Sequence, residues 1–242
     1  MCSIVAHVYI ASMDYTLLAL TIGPGLAIAI YVYWRDKFDR EPLRLLSLSF
    51  LLGCISVIPA IALSTLMGKL LLDNPGESLG ETFVFAFVVV AFSEELSKYF
   101  FLKRFLYPKP DFDEPYDGIT YSVMISMGFA TLENILYVYM RGNGSYEMAL
   151  LRMVTAVPAH ATFAIVMGYF VGIAKFKHSH RLFYLLAGLL LATAMHGSYD
   201  FFLMQNNYPQ IAMGAFVSLA VSVFYSLKAI RLHQKSSPHN YG

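Results

Sequence analysis

Apolar runs long enough to cross a bilayer, about 20 residues each, alternate with short polar breaks along the whole chain. Seven stand out, at roughly 15–34, 45–70, 83–106, 118–140, 152–174, 183–204 and 209–228. The connections between them reach only about ten residues, which leaves no space for a soluble domain. The pattern predicts an all-α integral membrane protein, a bundle of about seven transmembrane helices forming a single polytopic membrane domain over 1–242. The first run is not a cleavable signal peptide, because Arg35, Lys37 and Arg40 follow its apolar stretch instead of preceding it. It is expected to stay as a helix, bent at Gly23-Pro24.

Composition agrees. The chain is 57% hydrophobic and 14% charged, against about 25% charged residues in an ordinary soluble domain. A net charge of +1 gives no sign of a nucleic-acid partner. Cys2 and Cys54 make neither a disulfide framework nor a metal knuckle. The basic residues set the orientation. With the N-terminus outside, 13 of the 17 lysines and arginines fall in the inner segments, among them Arg35, Lys103, Lys175 and Arg231. The outer ends hold only Lys69, Arg141 and Arg152, and Lys98 lies within the membrane. The N-terminus is therefore expected outside and the C-terminus in the cytoplasm.

Four of the spans break the apolar pattern. The third carries Glu94, Glu95 and Lys98, the fourth Glu133 and Asn134, the fifth His160 just after Pro158, and the sixth His196 and Asp200. An ionised side chain at the bilayer centre costs roughly 3 kcal/mol on insertion scales. Each group also has a purely structural explanation. Lys98 can neutralise a glutamate at i,i+4 or i,i+3 or snorkel to the interface. His160 can bond backbone freed by Pro158, whose ring releases the carbonyl of Val154. His196 and Asp200 can satisfy each other across one helical turn, and Glu133-Asn134 can act as glue between helices. Arg152 reads as an interfacial anchor, and Ser93/Ser97 and Gly168/Gly172 read as helix packing. Depth argues against five separate accidents. At 1.5 Å per residue, Glu94, Glu133, His160, His196 and Asp200 all fall about 6–17 Å below the outer surface, although consecutive helices run in opposite directions.

Three carboxylates and two imidazoles cannot all be charged and dry. They require a water-filled cavity, shared protons, a counter-ion such as Lys98, or a metal. Such a cavity supports a peptidase in which a carboxylate activates water, a metal-dependent hydrolase, or a proton- or ion-coupled transporter.

The segment Glu94 to Lys98 is similar to the EExxK signature of the PrsW family of intramembrane proteases. Phe129 to Asn134 resembles that family's second motif, and Pro158 to His160 and His196 to Asp200 resemble its histidine motifs. Asp36 to Pro42 and Asp113 to Gly118 are similar to its cytoplasmic landmarks. The resemblance runs in order over about 31–205, the expected protease core. The wider superfamily, with type II CAAX prenyl endopeptidases and bacteriocin-processing enzymes, has the pattern EExxxR, FxxxH, HxxxN/D. Here Lys98 and Glu133 depart from it in the PrsW manner. The resemblance implies a multi-pass protein of the bacterial cell membrane. It further implies a site-1 protease that cuts the extracytoplasmic part of a single-span membrane protein, an anti-sigma factor.

On that reading, Glu94 is expected to act as general base toward water, with Glu95 beside it. His160 would partner the water or protonate the leaving amine, and His196, oriented by Asp200, would donate to the oxyanion. Lys98 would balance charge, and Glu133 with Asn134 would share a proton or position substrate. No cofactor is expected. Zinc held by two histidines and a carboxylate is the alternative, disfavoured by the lack of HExxH and of helical i,i+4 ligand pairs other than His196/Asp200. A transporter is the alternative of another class. No internal repeat supports it.

Overall fold

A computed structural model describes residues 14–35, 40–205 and 207–236. Cys2 and the Asp36–Asp39 part of one landmark lie outside them. Every described element is helical. Helices α1 (Tyr15–Arg35) and α2 (Leu43–Leu70) come first, and α1 continues through Pro24. A run that stays helical from Leu79 to Leu106 follows, made of α3 (Leu79–Val84), a π-helical stretch Phe85–Ala91, α4 (Phe92–Phe101) and a second π-helical stretch Leu102–Leu106. Then come α5 (Pro115–Ile135), extended by π-helical Leu136–Arg141, α6 (Tyr146–Val154), α7 (Ala156–Phe176), α8 (Arg181–Leu203) and α9 (Gly214–Ser236).

Among the described residues, six helices are long and apolar enough to cross a membrane. The run expected as a further span, 83–106, is helical throughout but falls outside that set because it carries Glu94, Glu95, Lys98, Lys103 and Arg104. The chain is an all-α integral membrane protein. Its apolar side chains divide by face: Leu51, Ile58, Leu190 and Phe224 are exposed where lipid would lie, while α5 and α7 are buried along nearly their whole length.

Helix α5 is the axis of the bundle. It is held by close backbone approach, which small residues permit. A Cβ on Gly53 of α2 would run into the carbonyl oxygen of Ile125, and one on Gly168 of α7 into that of Gly118. The Gly168/Gly172 spacing is thus a packing seam, as expected. Side chains reinforce these contacts by bonding across helices to backbone oxygens: Ser97 Oγ to Ser56 (2.7 Å), Ser126 Oγ to His160 (2.9 Å) and Ser226 Oγ to Thr162 (3.0 Å).

The chain breaks between α6 and α7 at Thr155, which leaves helical geometry (φ −120°, ψ −70°). Pro158 three residues on lacks the N–H that would bond the Val154 carbonyl, which accounts for the interruption at Thr155. Arg152, three residues before the break, reaches Glu133 and Asn134 at the end of α5.

Candidate active site

The polar residues of four helical segments meet in one cluster. Glu94 and Glu95 are adjacent on α4, so their side chains diverge by about 100° around the helix. Lys98 stands one turn on and reaches both: Nζ is 3.3 Å from Glu94 Oε2 and 2.8 Å from Glu95 Oε1. It also lies 3.2 Å from His160 Nδ1 and over the ring of Phe129, 3.9 Å from its centroid. It does not snorkel; it is 2% exposed. His160 does not spend itself on backbone either, since its Nε2 lies 2.9 Å from Glu133 Oε2.

On α8, His196 Nδ1 is 2.9 Å from Glu95 Oε1, and Nε2 is 3.2 Å from Asp200 Oδ2 and 3.9 Å from Glu94 Oε2. Phe163 stacks on the His196 ring at 5.0 Å, and the two imidazoles meet edge-on at 5.1 Å. A carboxylate only accepts hydrogen bonds. Glu133 therefore takes the His160 Nε2–H, leaving the Nδ1 lone pair for Lys98, and Glu95 takes the His196 Nδ1–H.

Accessibility separates the two glutamates. The Glu95 side chain is 1% exposed, whereas Glu94 and Glu133 are 14% and 13% exposed. Both of the latter line a cavity of about 420 Å³ walled by α2, the Phe85–Ala91 stretch and the Leu136–Arg141 stretch. Two π-helical segments thus border the same cavity and adjoin its two glutamates. Such segments recur at functional sites, where the widened turn re-aims side chains.

Residues 41–227 match the family described as "PrsW family intramembrane metalloprotease". The chain belongs to the PrsW family. It is 37% identical to a protein named Protease PrsW from Geobacillus kaustophilus (strain HTA426), over 84% of this chain and 86% of the relative. It is 38% identical to the Protease PrsW of Bacillus subtilis (strain 168), over 78% of this chain and 83% of that one. Identity to the Protease PrsW of Clostridioides difficile (strain 630) is 35%, over 79% and 81%. No solved structure matches the chain. The resemblance in the signature motifs thus extends over most of the sequence, and the protein is a membrane-embedded peptidase, multi-pass in a bacterial membrane.

The family description corrects one expectation. No cofactor was expected, yet the PrsW family is one of metalloproteases. The site here suits a metal. One ligand atom each of Glu94, His160 and His196 lies within 4.8 Å of the others, and two imidazoles with a carboxylate are a catalytic zinc set that keeps a position open. Donors about 2.0–2.1 Å from a tetrahedral zinc stand about 3.3 Å apart. The 3.9 Å between Glu94 Oε2 and His196 Nε2, too long for a hydrogen bond, is near that edge. Glu95 and Glu133 sit behind the two histidines, as carboxylates do in metal sites, where they fix the tautomer. The cluster sets the carboxylates of Glu94, Glu95, Glu133 and Asp200 against only Lys98 and Arg152, an excess of negative charge that a cation would offset, and the buried Glu95 Oε2 has no hydrogen-bond partner among the described residues. Spacing in the sequence argued against a metal because the three ligands stand on three different helices, α4, α7 and α8, and no i,i+4 rule sees such a set.

Arg152 is the residue that sequence reasoning misplaced. It is no interfacial anchor: Nη2 is 2.7 Å from Glu133 Oε2 and Nε donates to Asn134 Oδ1 at 2.6 Å. The guanidinium also lies over Tyr137, 4.1 Å from the ring centroid. Asn134 is glue after all, donating from Nδ2 to the Thr21 carbonyl at 3.3 Å.

The remaining landmarks gather at the opposite end of the bundle. Tyr121 donates its hydroxyl to Glu41 Oε2. Asp117 Oδ2 accepts from the backbone N–H groups of Asp113 (2.9 Å) and Glu114 (2.7 Å), capping α5. Burial pushes the Glu41 carboxyl up to about 7, against the opposing hydrogen bond from Tyr121. These residues anchor the α1–α2 connection to α5 and stand apart from the cavity.

Proposed function

We propose that this peptidase cuts single-span membrane proteins close to the extracytoplasmic end of their span, site-1 cleavage of an anti-sigma factor being the expected instance. The observation that carries this reading is the cavity that opens onto Glu94 and Glu133 beside the histidine pair. Depth by residue count and the bias of basic residues support its mouth being outside. A peptide bond within a helix hides its carbonyl in i→i−4 bonds, and unpaired backbone in lipid is costly. Substrate is therefore cut where its span has begun to unwind.

Glu94, His160 and His196 would hold the metal, His160 through the Nδ1 lone pair that Lys98 Nζ otherwise approaches at 3.2 Å, so Lys98 would give up that contact. Held there, a metal would supply Lewis acidity toward the scissile carbonyl and the attacking water. With Glu94 engaged as ligand, the base passes to Glu133. Arg152 and His160 hold its Oε2, which leaves Oε1 to accept the water's proton and return it to the leaving amine. Glu95, by accepting the His196 Nδ1–H, keeps the Nε2 lone pair free on the side of Glu94 and Asp200, where it would be available as a ligand. Lys98 remains paired with Glu95 as the counter-charge. The test is co-expression with candidate single-span proteins. A new fragment is expected with the native chain and absent with Glu94→Gln or His196→Ala at equal membrane levels. A fragment that persists in both variants sinks the proposal.

A further inference from the structure

We infer that the cavity on Glu94 and Glu133 is the substrate cleft, that it takes about five residues of extended polypeptide, and that Ser64 and Gly68 of α2 set what fits there. This rests on the proteolytic reading above and gives that site a specificity wall. The cleft runs along α2 from Val57, at the level of the glutamates, to Lys69. Twelve residues of helix at 1.5 Å each span about 18 Å. Extended chain advances about 3.3 Å per residue, so about five residues fill that length.

Polarity changes along the cleft. Near the glutamates its walls are Val57, Ala60 and Phe129, which suit an apolar side chain next to the cut. Toward the mouth, where Val89 stands across from Gly68, the polar side chains Ser64, Thr65, Tyr137, Lys69, Asp73 and Arg141 join the lining. An unwound peptide needs such partners, because its freed N–H and C=O groups find none in lipid. This gradient matches a chain leaving a membrane and would serve a wholly apolar lipid tail poorly.

One wall is the α2 face. Gly68 is buried, and a Cβ there would meet only ordinary contacts, Asp73 at 3.5 Å and 3.8 Å and Val89 at 3.9 Å. Ser64 is half-buried, its hydroxyl turned back to the Ile61 carbonyl at 3.1 Å. Neither touches the polar cluster, so bulk added at either position enters the cleft and leaves the chemistry alone.

The experiment uses the full chain in proteoliposomes with synthetic single-span peptides that differ in five residues at the outer boundary. Ser64→Trp and Gly68→Trp are expected to lower kcat/KM at least tenfold, mainly through KM, with bound metal unchanged. Ile58→Trp, on the exposed face of the same helix, is expected to cleave normally. In a parallel arm a benzoylphenylalanine at Thr65 of the Glu94→Gln protein is expected to cross-link the peptide, and one at Phe170, on the far side of α7, is not. Normal cleavage by both tryptophan variants, or cross-linking from Phe170 alone, would overturn the cleft. Peptide cut equally by wild type and Glu94→Gln, or by neither, counts against the proteolytic reading instead, and the cross-link still decides where the chain lies.

Discussion

Arg152→Ala separates the buried network from the interfacial anchor that its position in the sequence suggested. The guanidinium lies 2.7 Å from Glu133 Oε2, with both side chains only 12–13% exposed. At that separation an effective dielectric of 20 gives an attraction of about 6 kcal/mol before desolvation is subtracted. Removing one partner of a buried pair leaves the other charge uncompensated, at about 3–5 kcal/mol. Glu133 keeps His160 and borders a cavity, so the loss should fall at the lower end, about 3 kcal/mol. An exposed arginine would lose less than about 1 kcal/mol, and Arg141→Ala serves as that control. The assay is SDS-titrated unfolding in mixed micelles, followed by helical circular dichroism. Adding Glu133→Gln should recover about 2 kcal/mol of the Arg152→Ala loss, because the stranded carboxylate is then gone. If Arg152→Ala costs no more than Arg141→Ala, or if the two network substitutions simply add, Arg152 is not part of the site.

Two further outcomes follow. Metal analysis of the purified chain should find one ion per molecule, lost with His160→Ala or His196→Ala, and a chelator should abolish cleavage until metal is restored. Full cleavage by metal-free protein would remove the metal from the scheme. The raised Glu41 carboxyl (about 7 in the fold against an ordinary 4.5) makes the folded state bind more protons between those values, so stability should fall as pH rises from about 4.5 to about 7. The groups facing it, Tyr121, Asp117, Asp113 and Asp111, stay in place in Glu41→Gln, which should flatten that slope. An unchanged slope in the variant would show that Glu41 is not its source.

Hydropathy and spacing along the chain were sufficient for the helices, because a bilayer demands about 20 apolar residues and complete internal backbone bonding wherever a chain crosses it. They also singled out Glu94, Glu95, Glu133, His160, His196 and Asp200, since ionisable groups at depth are too costly to be incidental. Local periodicity reached as far as contacts within one helix: Lys98 to both glutamates, and His196 to Asp200. Contacts between helices were beyond it. That Glu94 faces the cavity while Glu95 is buried behind His196 depends on how α4 is rotated against α8. The closeness of Glu94, His160 and His196 depends on three helices packing together, and Arg152 joins the site only through contacts between α6 and the end of α5. Sequence alone determined which residues the membrane would not tolerate without a purpose; packing decided which of them share a proton, a metal or a substrate, because those interactions act over about 3 Å and such distances between separate helices are set only when the bundle closes.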